Sequence, residues 1–279
     1  MEVTYKRKIK SREVDGMIKE QELRLLARTR NLSLDIVEKD YAIGWILVGL
    51  SSSSLSNKLI FKGGTALSKI YFPSNWRISE DLDFTLLESS TLDEVSKILL
   101  DELPDLVLKK SGDMSLNFTE KPFTNPGFLR VRVQYTGPIT KNTVKIEITK
   151  EKFIGDYKKT QPLQQFDYPA FTTLTYTLNN ILAEKLRAII QRGHIRDYYD
   201  SWMLLKRKVI DFERVKELFL KKCRAKGITF KSTSDFFPNN IEKTLEPYLK
   251  TGLTRMSSKP LPPIAQIINE LRLSIVQIF

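Results

Sequence analysis

Apolar residues recur at helical spacing over 12–30, where Met17, Ile18, Leu23, Leu25 and Leu26 stand among charges. The spacing predicts an amphipathic helix. A second helix starts after Ser33, an expected N-cap, and runs through Ile36, Val37, Tyr41, Ile43, Ile46, Leu47 and Leu50 to the serines 51–54. Leu59-Ile60-Phe61 is a short apolar run followed by Gly63-Gly64-Thr65 and a helical stretch, Ala66 to Tyr71. The order is strand, glycine turn, helix. From Asp81 to Leu86 the period changes to two, with Leu82, Phe84 and Leu86 on one face of a half-buried strand. Residues 91–103 are expected to be helical. Val131, Val133 and Tyr135 then alternate with Arg130, Arg132 and Gln134, and Val144, Ile146 and Ile148 with Lys145, Glu147 and Thr149. Gly137-Pro138 and Asn142 mark the turn of an antiparallel hairpin.

Beyond residue 177 the helical period returns. Leu178 to Arg192 is one helix, with Gly193 as its C-cap. Others follow over 195–206, 211–223, 239–250 and 263–278. The stretch 155–170, rich in Gln, Pro and aromatics, is expected to be the domain boundary. The layout predicts an α+β fold: N-terminal helices and a mixed sheet over 1–160, then a helical domain over 161–279.

The chain has 279 residues, of which 41% are hydrophobic and 28% charged, enough apolar content for a sizeable core. No run of 18 apolar residues suits a membrane span, and the basic N-terminus lacks the apolar segment of a secretory signal. A cytoplasmic location is expected by default. One cysteine, Cys223, excludes an internal disulfide framework, and one histidine, His194, excludes multi-histidine metal sites. Any divalent metal is then expected on carboxylates, which favours Mg²⁺ or Mn²⁺. The net charge of +12 points to a polyanionic partner, nucleic acid or nucleotide. Basic runs at Lys6 to Arg12, Lys206 to Lys208 and around Cys223 could track an RNA backbone or be solvated faces.

The most informative stretch is Phe61-Lys62-Gly63-Gly64-Thr65-Ala66-Leu67 followed by Arg77-Ile78-Ser79-Glu80-Asp81-Leu82-Asp83-Phe84. Two glycines allow close backbone approach to a ligand, and the helix start offers free N–H groups to a phosphate. Thr65 adds a hydroxyl. Asp81 and Asp83 are two apart on a strand, so both carboxylates point away from Leu82 and Phe84. Such like charges are unfavourable unless a cation joins them, and Mg²⁺ held there can bridge triphosphate oxygens. Alone, a Gly-Gly turn is most often merely a turn and Asp-x-Asp a solvated face. Their ordered combination is more specific. No Gly-Lys-Ser/Thr follows at Walker spacing.

This arrangement resembles the DNA polymerase β-like nucleotidyltransferase superfamily. The resemblance implies a third acid on a later strand, and Glu147 has the apolar–acid–apolar setting; an exposed glutamate paired to Lys145 or Lys150 is the alternative. More closely, the chain resembles the AbiEii/AbiGii toxin family over roughly residues 36–205. That resemblance rests on Glu38-Lys39-Asp40-Tyr41, the GGTAL and RxSEDLDF segments, Ala183-Glu184-Lys185-Leu186-Arg187-Ala188 running on to Arg192, and Arg196-Asp197-Tyr198-Tyr199-Asp200. Thr65 stands where many superfamily members have serine, and 15 residues separate it from Asp81, a longer loop than in the shortest versions.

Lys185 and Arg192 share one helix face and would hold triphosphate oxygens or leaving pyrophosphate; a solvated basic stripe is the alternative. The resemblance places Asp200 near the active site, orienting Lys185 or accepting a proton, although Arg196 and Asp200 also have salt-bridge spacing. Asp197 is expected to be structural at a helix start. Arg77 is expected to contact a phosphate or to pair with Glu80. His194 is expected to be incidental. Together these imply a metal-dependent nucleotidyltransferase. Asp81, Asp83 and Glu147 would hold metal, Gly63, Gly64, Thr65, Arg77, Lys185 and Arg192 would bind the nucleoside triphosphate, and Asp200 would assist catalysis. The resemblance also implies a toxin of a toxin–antitoxin or phage-defence system, with an antitoxin partner and the 3′ end of tRNA as acceptor. Transfer to a small molecule, or a nucleotide- or RNA-binding module without catalysis, are the competing readings.

Overall fold

The computed structural model describes residues 17–72, 76–87, 90–162, 165–207 and 209–279. The basic stretch Lys6 to Arg12, the start of the first expected helix, the Pro73-Ser74-Asn75 loop and Lys208 lie outside the described residues.

The N-terminal helices are α1 (Glu20–Arg30) and α2 (Leu34–Ser52). After them come β1 (Leu59–Lys62) and the one-turn α3 (Gly63–Ala66), which runs directly into a π-helical turn (Leu67–Tyr71). Next are β2 (Asp81–Leu86), α4 (Leu92–Ser111), β3 (Ser115–Phe118), β4 (Phe123–Asn125), β5 (Phe128–Thr136), β6 (Lys141–Thr149), β7 (Tyr157–Thr160) and β8 (Thr173–Tyr176). Five helices close the chain: α5 (Leu178–Arg192), α6 (Ile195–Leu205), α7 (Phe212–Ala225), α8 (Ile241–Gly252) and α9 (Ile264–Val276).

The strands form one mixed sheet in the order β3-β5-β6-β2-β1-β8-β7, with β4 on the outer edge of β5. β1 pairs antiparallel with β2 and parallel with β8, and β2 pairs parallel with β6. The parallel register sets Asp81 beside Lys145 and Asp83 beside Glu147. The period-two pattern is realised as read: Leu82, Phe84, Val131, Val133, Val144, Ile146 and Ile148 are buried in the core. α2 and α4 pack together, and α5 packs on α6 and α7.

β3, β4 and β8 are strands the sequence pattern does not mark, and Met17 to Lys19 precede α1 although the pattern places them in the first helix; two further elements also depart from the sequence reading. α4 continues past Pro104 to Ser111, where the pattern predicts an end near 103. An internal proline removes one hydrogen bond. The buried face Leu99, Leu103 and Val107 runs across it, and a Thr91–Glu94 capping box and Gly112 (φ +86°) fix the two ends. The second is β7, a Tyr-Lys-Lys-Thr strand inside the stretch expected to be a boundary. It pairs with β8 at the sheet edge, and its exposed lysines give no alternation to read. The sheet therefore takes strands from both sides of residue 160.

The Glu38-Lys39-Asp40-Tyr41 segment has a structural use. Fully buried Glu38 accepts from the Ile139 and Thr140 N–H groups at 2.7 and 3.0 Å and from the Thr140 hydroxyl at 2.6 Å, which fixes the β5–β6 turn. Asp40 pairs with Lys69 at 2.6 Å, tying α2 to the π-helical turn. α2 thus orients both parts of the sheet that carry the acids.

Candidate active site

The cleft forms where β1, β2 and β6 end against α5. Gly63, Gly64, Asp83, Glu147, Lys185 and Arg192 line it together, with Lys62, Glu184 and Asp197. Its volume is about 290 Å³.

The glycines are required by what they face. Gly63 has φ +78°, and a Cβ there would stand 2.5 Å from the Asp83 carboxylate. A Cβ on Gly64 would stand 2.8 Å from the Arg77 guanidinium. The turn therefore presents bare backbone directly against Asp83. Thr65 lies beneath the surface, fully buried, and its hydroxyl donates to the Asp81 carbonyl, locking the turn to β2.

The three acids occupy different electrostatic settings. Lys145 lies 3.3 Å from Asp81 and 3.4 Å from Glu147, bridging the two. Arg130, directly opposite Glu147 in the hairpin, donates to it at 2.8 Å. The Asp83 carboxylate makes no hydrogen bond or ion pair with the described residues. Burial pushes its pKa up to about 6, helped by Glu147 and Asp81 and opposed by Lys62 and Lys185. Among the described residues no three acid, histidine or cysteine side chains stand ready-closed around one point. The donor set nevertheless suits a hard cation. It is all oxygen, Asp83 lacks a direct partner among the described residues, and burial together with Glu147 and Asp81 raises its pKa.

The opposite wall comes from α5. Thr177 caps its start by accepting from the Asn180 N–H, and Gly193 (φ +61°) ends it. Glu184, Lys185, Ala188 and Arg192 then share the face turned to the cleft. Lys185 is held by Asp197 at 3.0 Å and Asp200 at 2.9 Å. Arg192 donates to Asp197 at 2.9 Å. Burial would lower the Lys185 pKa, but Asp200 and Asp197 outweigh it and hold the ammonium charged. Burial would raise Asp197, but Lys185 and Arg192 bring it down to about 2. Arg77 and Asp200 stand behind this wall. The buried guanidinium donates to both Asp200 oxygens, at 2.9 and 2.6 Å. Glu80 instead pairs with Lys39 and Arg255. The Arg196–Asp200 spacing produces no ion pair, because Asp200 is taken by Arg77 and Lys185.

The sequence reading missed Lys62, Arg130 and Glu184. Lys62 sits opposite Asp83 in the β1–β2 register and pairs with Glu184 at 3.3 Å. A lysine ending an apolar strand just before two glycines was the available signal. His194 is exposed at the start of α6, outside the cleft.

The sequence matches the family described as the nucleotidyl transferase AbiEii toxin, type IV toxin–antitoxin system, over residues 45–267. The chain belongs to the AbiEii family. It is thus a nucleotidyltransferase toxin of a type IV toxin–antitoxin system. No curated protein matches it. Among solved structures the fold is similar to MenT4, a nucleotidyltransferase toxin from Mycobacterium tuberculosis H37Rv, with a TM-score of 0.69 and 22% identity, covering 92% of this chain and 89% of that one. It is also similar to a putative nucleotidyltransferase from H. pylori (TM-score 0.55, 18% identity, 88% and 96% covered). A third, JHP933 from Helicobacter pylori, has TM-score 0.54, 16% identity and 88% and 93% coverage. Among the described residues no helix of this AbiEii-family chain is long and apolar enough to cross a membrane.

Proposed function

We propose that this cleft transfers a nucleoside monophosphate from a nucleoside triphosphate to an RNA hydroxyl, the 3′ end of tRNA being the acceptor. The observation that carries the reading is the parallel register of Asp83 with Glu147 beside the Gly63–Gly64 turn, faced by Lys185 and Arg192. The acceptor hydroxyl gives its proton to the Glu147 carboxylate as its oxygen bonds the α-phosphorus, the bond from that phosphorus to the bridging oxygen breaks, and pyrophosphate leaves. Residues 1–160 supply Asp81, Asp83 and Glu147, and 161–279 supply Lys185 and Arg192. Gly63 and Gly64 let the triphosphate approach the backbone. Lys185 and Arg192 neutralise the charge that grows on pyrophosphate. Arg77 and Asp200 hold Lys185 in place, and Thr65 holds the turn to the strand of Asp81. Asp81, Asp83 and Glu147 are the residues that would hold Mg²⁺ or Mn²⁺, which when bound supplies charge neutralisation and polarises phosphate oxygens. The net charge of +12 suits an RNA substrate. The enzyme acts in the cytoplasm, in toxin–antitoxin and phage defence, and its antitoxin relieves the growth arrest it causes.

The test is incubation of the purified chain with each labelled nucleoside triphosphate, total RNA and either Mg²⁺ or Mn²⁺. Label in RNA of tRNA size is expected. Label only in protein or small molecules would overturn the RNA acceptor.

A further inference from the structure

A second cleft opens on the far side of Arg77. It is about 360 Å³, within the range of small-molecule sites, and is formed where α6 meets the segment 257–262. Trp76, Tyr199, Trp202 and Met203 line it, together with Ser257 and Ser258. Its charged lining is entirely cationic among the described residues: Arg77, Arg207 and Lys259. Arg77 is neutralised by Asp200, so Arg207 and Lys259 carry the free charge.

Trp76, Tyr199 and Trp202 are each more than nine-tenths buried and packed against neighbouring rings or cations. Phe72 lies on Trp76 with ring centres 5.0 Å apart and planes 19° apart, and the Arg207 guanidinium covers Phe72 at 4.3 Å. Tyr199 lies 5.6 Å from Trp202, and Lys206 caps that indole at 4.4 Å. The buried Trp76 indole N–H has no hydrogen-bond partner among the described residues. Glu270 holds the Trp202 indole N–H at 2.8 Å and Lys206 at 2.7 Å from outside the lining. Aromatic walls, a charged lining that is cationic among the described residues, hydroxyls at the rim and a Trp76 N–H without a partner among those residues together match one chemistry. That chemistry is a planar base carrying hydrogen-bond acceptors, attached to phosphate.

We propose that this cleft holds an unstacked nucleobase of a single-stranded RNA segment while the acceptor end lies in the acid cleft; this rests on the RNA reading above. The two clefts share one buried relay. Arg77 lines the second cleft and donates to Asp200, and Asp200 holds Lys185, which lines the first. A base in the second cleft therefore sits two ion pairs, Arg77–Asp200 and Asp200–Lys185, from the phosphate-holding lysine. A free nucleotide offers the same base chemistry, but the +12 charge and the paired clefts favour a strand long enough to touch both.

The experiment uses the full chain in EDTA, so that no transfer is needed. Single-stranded RNA carrying 4-thiouridine is photo-cross-linked and the labelled peptides are mapped, with 4-thio-UTP alone as the second arm. RNA label is expected in 199–207 and 257–262, displaced by unlabelled RNA and not by UTP. Arg207→Ala and Met203→Glu are each expected to lower that label at least about fivefold, on the scale of one lost stacked base. Both sites are only partly buried, and each variant's far-UV spectrum and melting point verify its fold. Label confined to the acid cleft, equal label in both variants, or label in the second cleft from 4-thio-UTP would overturn this proposal while leaving RNA transfer standing. RNA label nowhere on the protein would overturn both.

Discussion

Asp83 and Asp197 are the same side chain, both close to Lys185, and the fold drives them in opposite directions. At Asp83, burial and two neighbouring acids lift the pKa to about 6. At Asp197, burial is outweighed by Lys185 and Arg192, and the pKa falls to about 2. Asp200, bound by Arg77 and Lys185, is also held below the usual carboxylate range. Asp83 is crowded and without a direct partner among the described residues, whereas Asp197 and Asp200 are fully paired. Crowding costs stability, so a fold keeps it where an incoming cation or substrate relieves it. Pairing serves to hold a neighbour still. In the function proposed above, the difference separates Asp83, which meets the reaction, from Asp197 and Asp200, which position Lys185.

The comparison can be broken most forcefully at Asp81. Its side chain is about one-third exposed (32%), so Asp81→Ala should leave the melting temperature unchanged while transfer falls on the order of 10³-fold. An initial-rate assay beside a thermal melt checks both. On the paired side, Asp200→Ala should do the reverse in kind. It strands the buried Arg77 guanidinium and should cost about 3–5 kcal/mol in urea unfolding.

The pH dependence sharpens the contrast further. The folded pKa of Asp83 lies above its ordinary value of 3.8, so the folded state holds this proton more tightly than the unfolded chain does. Its ionised form therefore costs stability at pH 7, and that cost fades as pH falls from about 6 to 3.8. Asp83→Asn should stabilise the protein at pH 7 by roughly 1–2 kcal/mol, the full shift being reduced by solvent screening, and the gain should vanish near pH 4. Asp197, with its lowered pKa, contributes stability that is present above pH 3.8 and lost as pH falls through about 2. The smallest effect is expected at Lys145, which bridges Asp81 and Glu147 from a half-buried position. Lys145→Met should raise Mn²⁺ affinity about three- to tenfold by removing a competing charge, read by calorimetric titration.

Much of this arrangement was legible in the residues, and the limits have physical causes. The alternation over 81–86 and 144–148 gave the two strands and the faces of Asp81, Asp83 and Glu147. It did not give the parallel register that makes Asp83 and Glu147 neighbours, because register across a crossover depends on tertiary packing. Helix spacing placed Lys185 and Arg192 on one face. The ligation of both by Asp197 needed the α5–α6 corner at Gly193, beyond any single periodicity. Arg77 and Asp200 are 123 residues apart, and no local pattern marks their pairing. Arg130 looked like any polar strand residue until the hairpin set it opposite Glu147. β7 was invisible because an exposed lysine-rich edge strand carries no apolar signature.

The most direct measurement is transfer of label from a nucleoside triphosphate to RNA by wild-type and Asp83→Asn protein at pH 7.5, each with a verified melting temperature. The cleft assigned here predicts label with wild type and a loss on the order of 10³-fold in Asp83→Asn, whose melting temperature equals or exceeds that of wild type. Transfer by Asp83→Asn within tenfold of wild type would contradict the assignment of this cleft as the reaction centre.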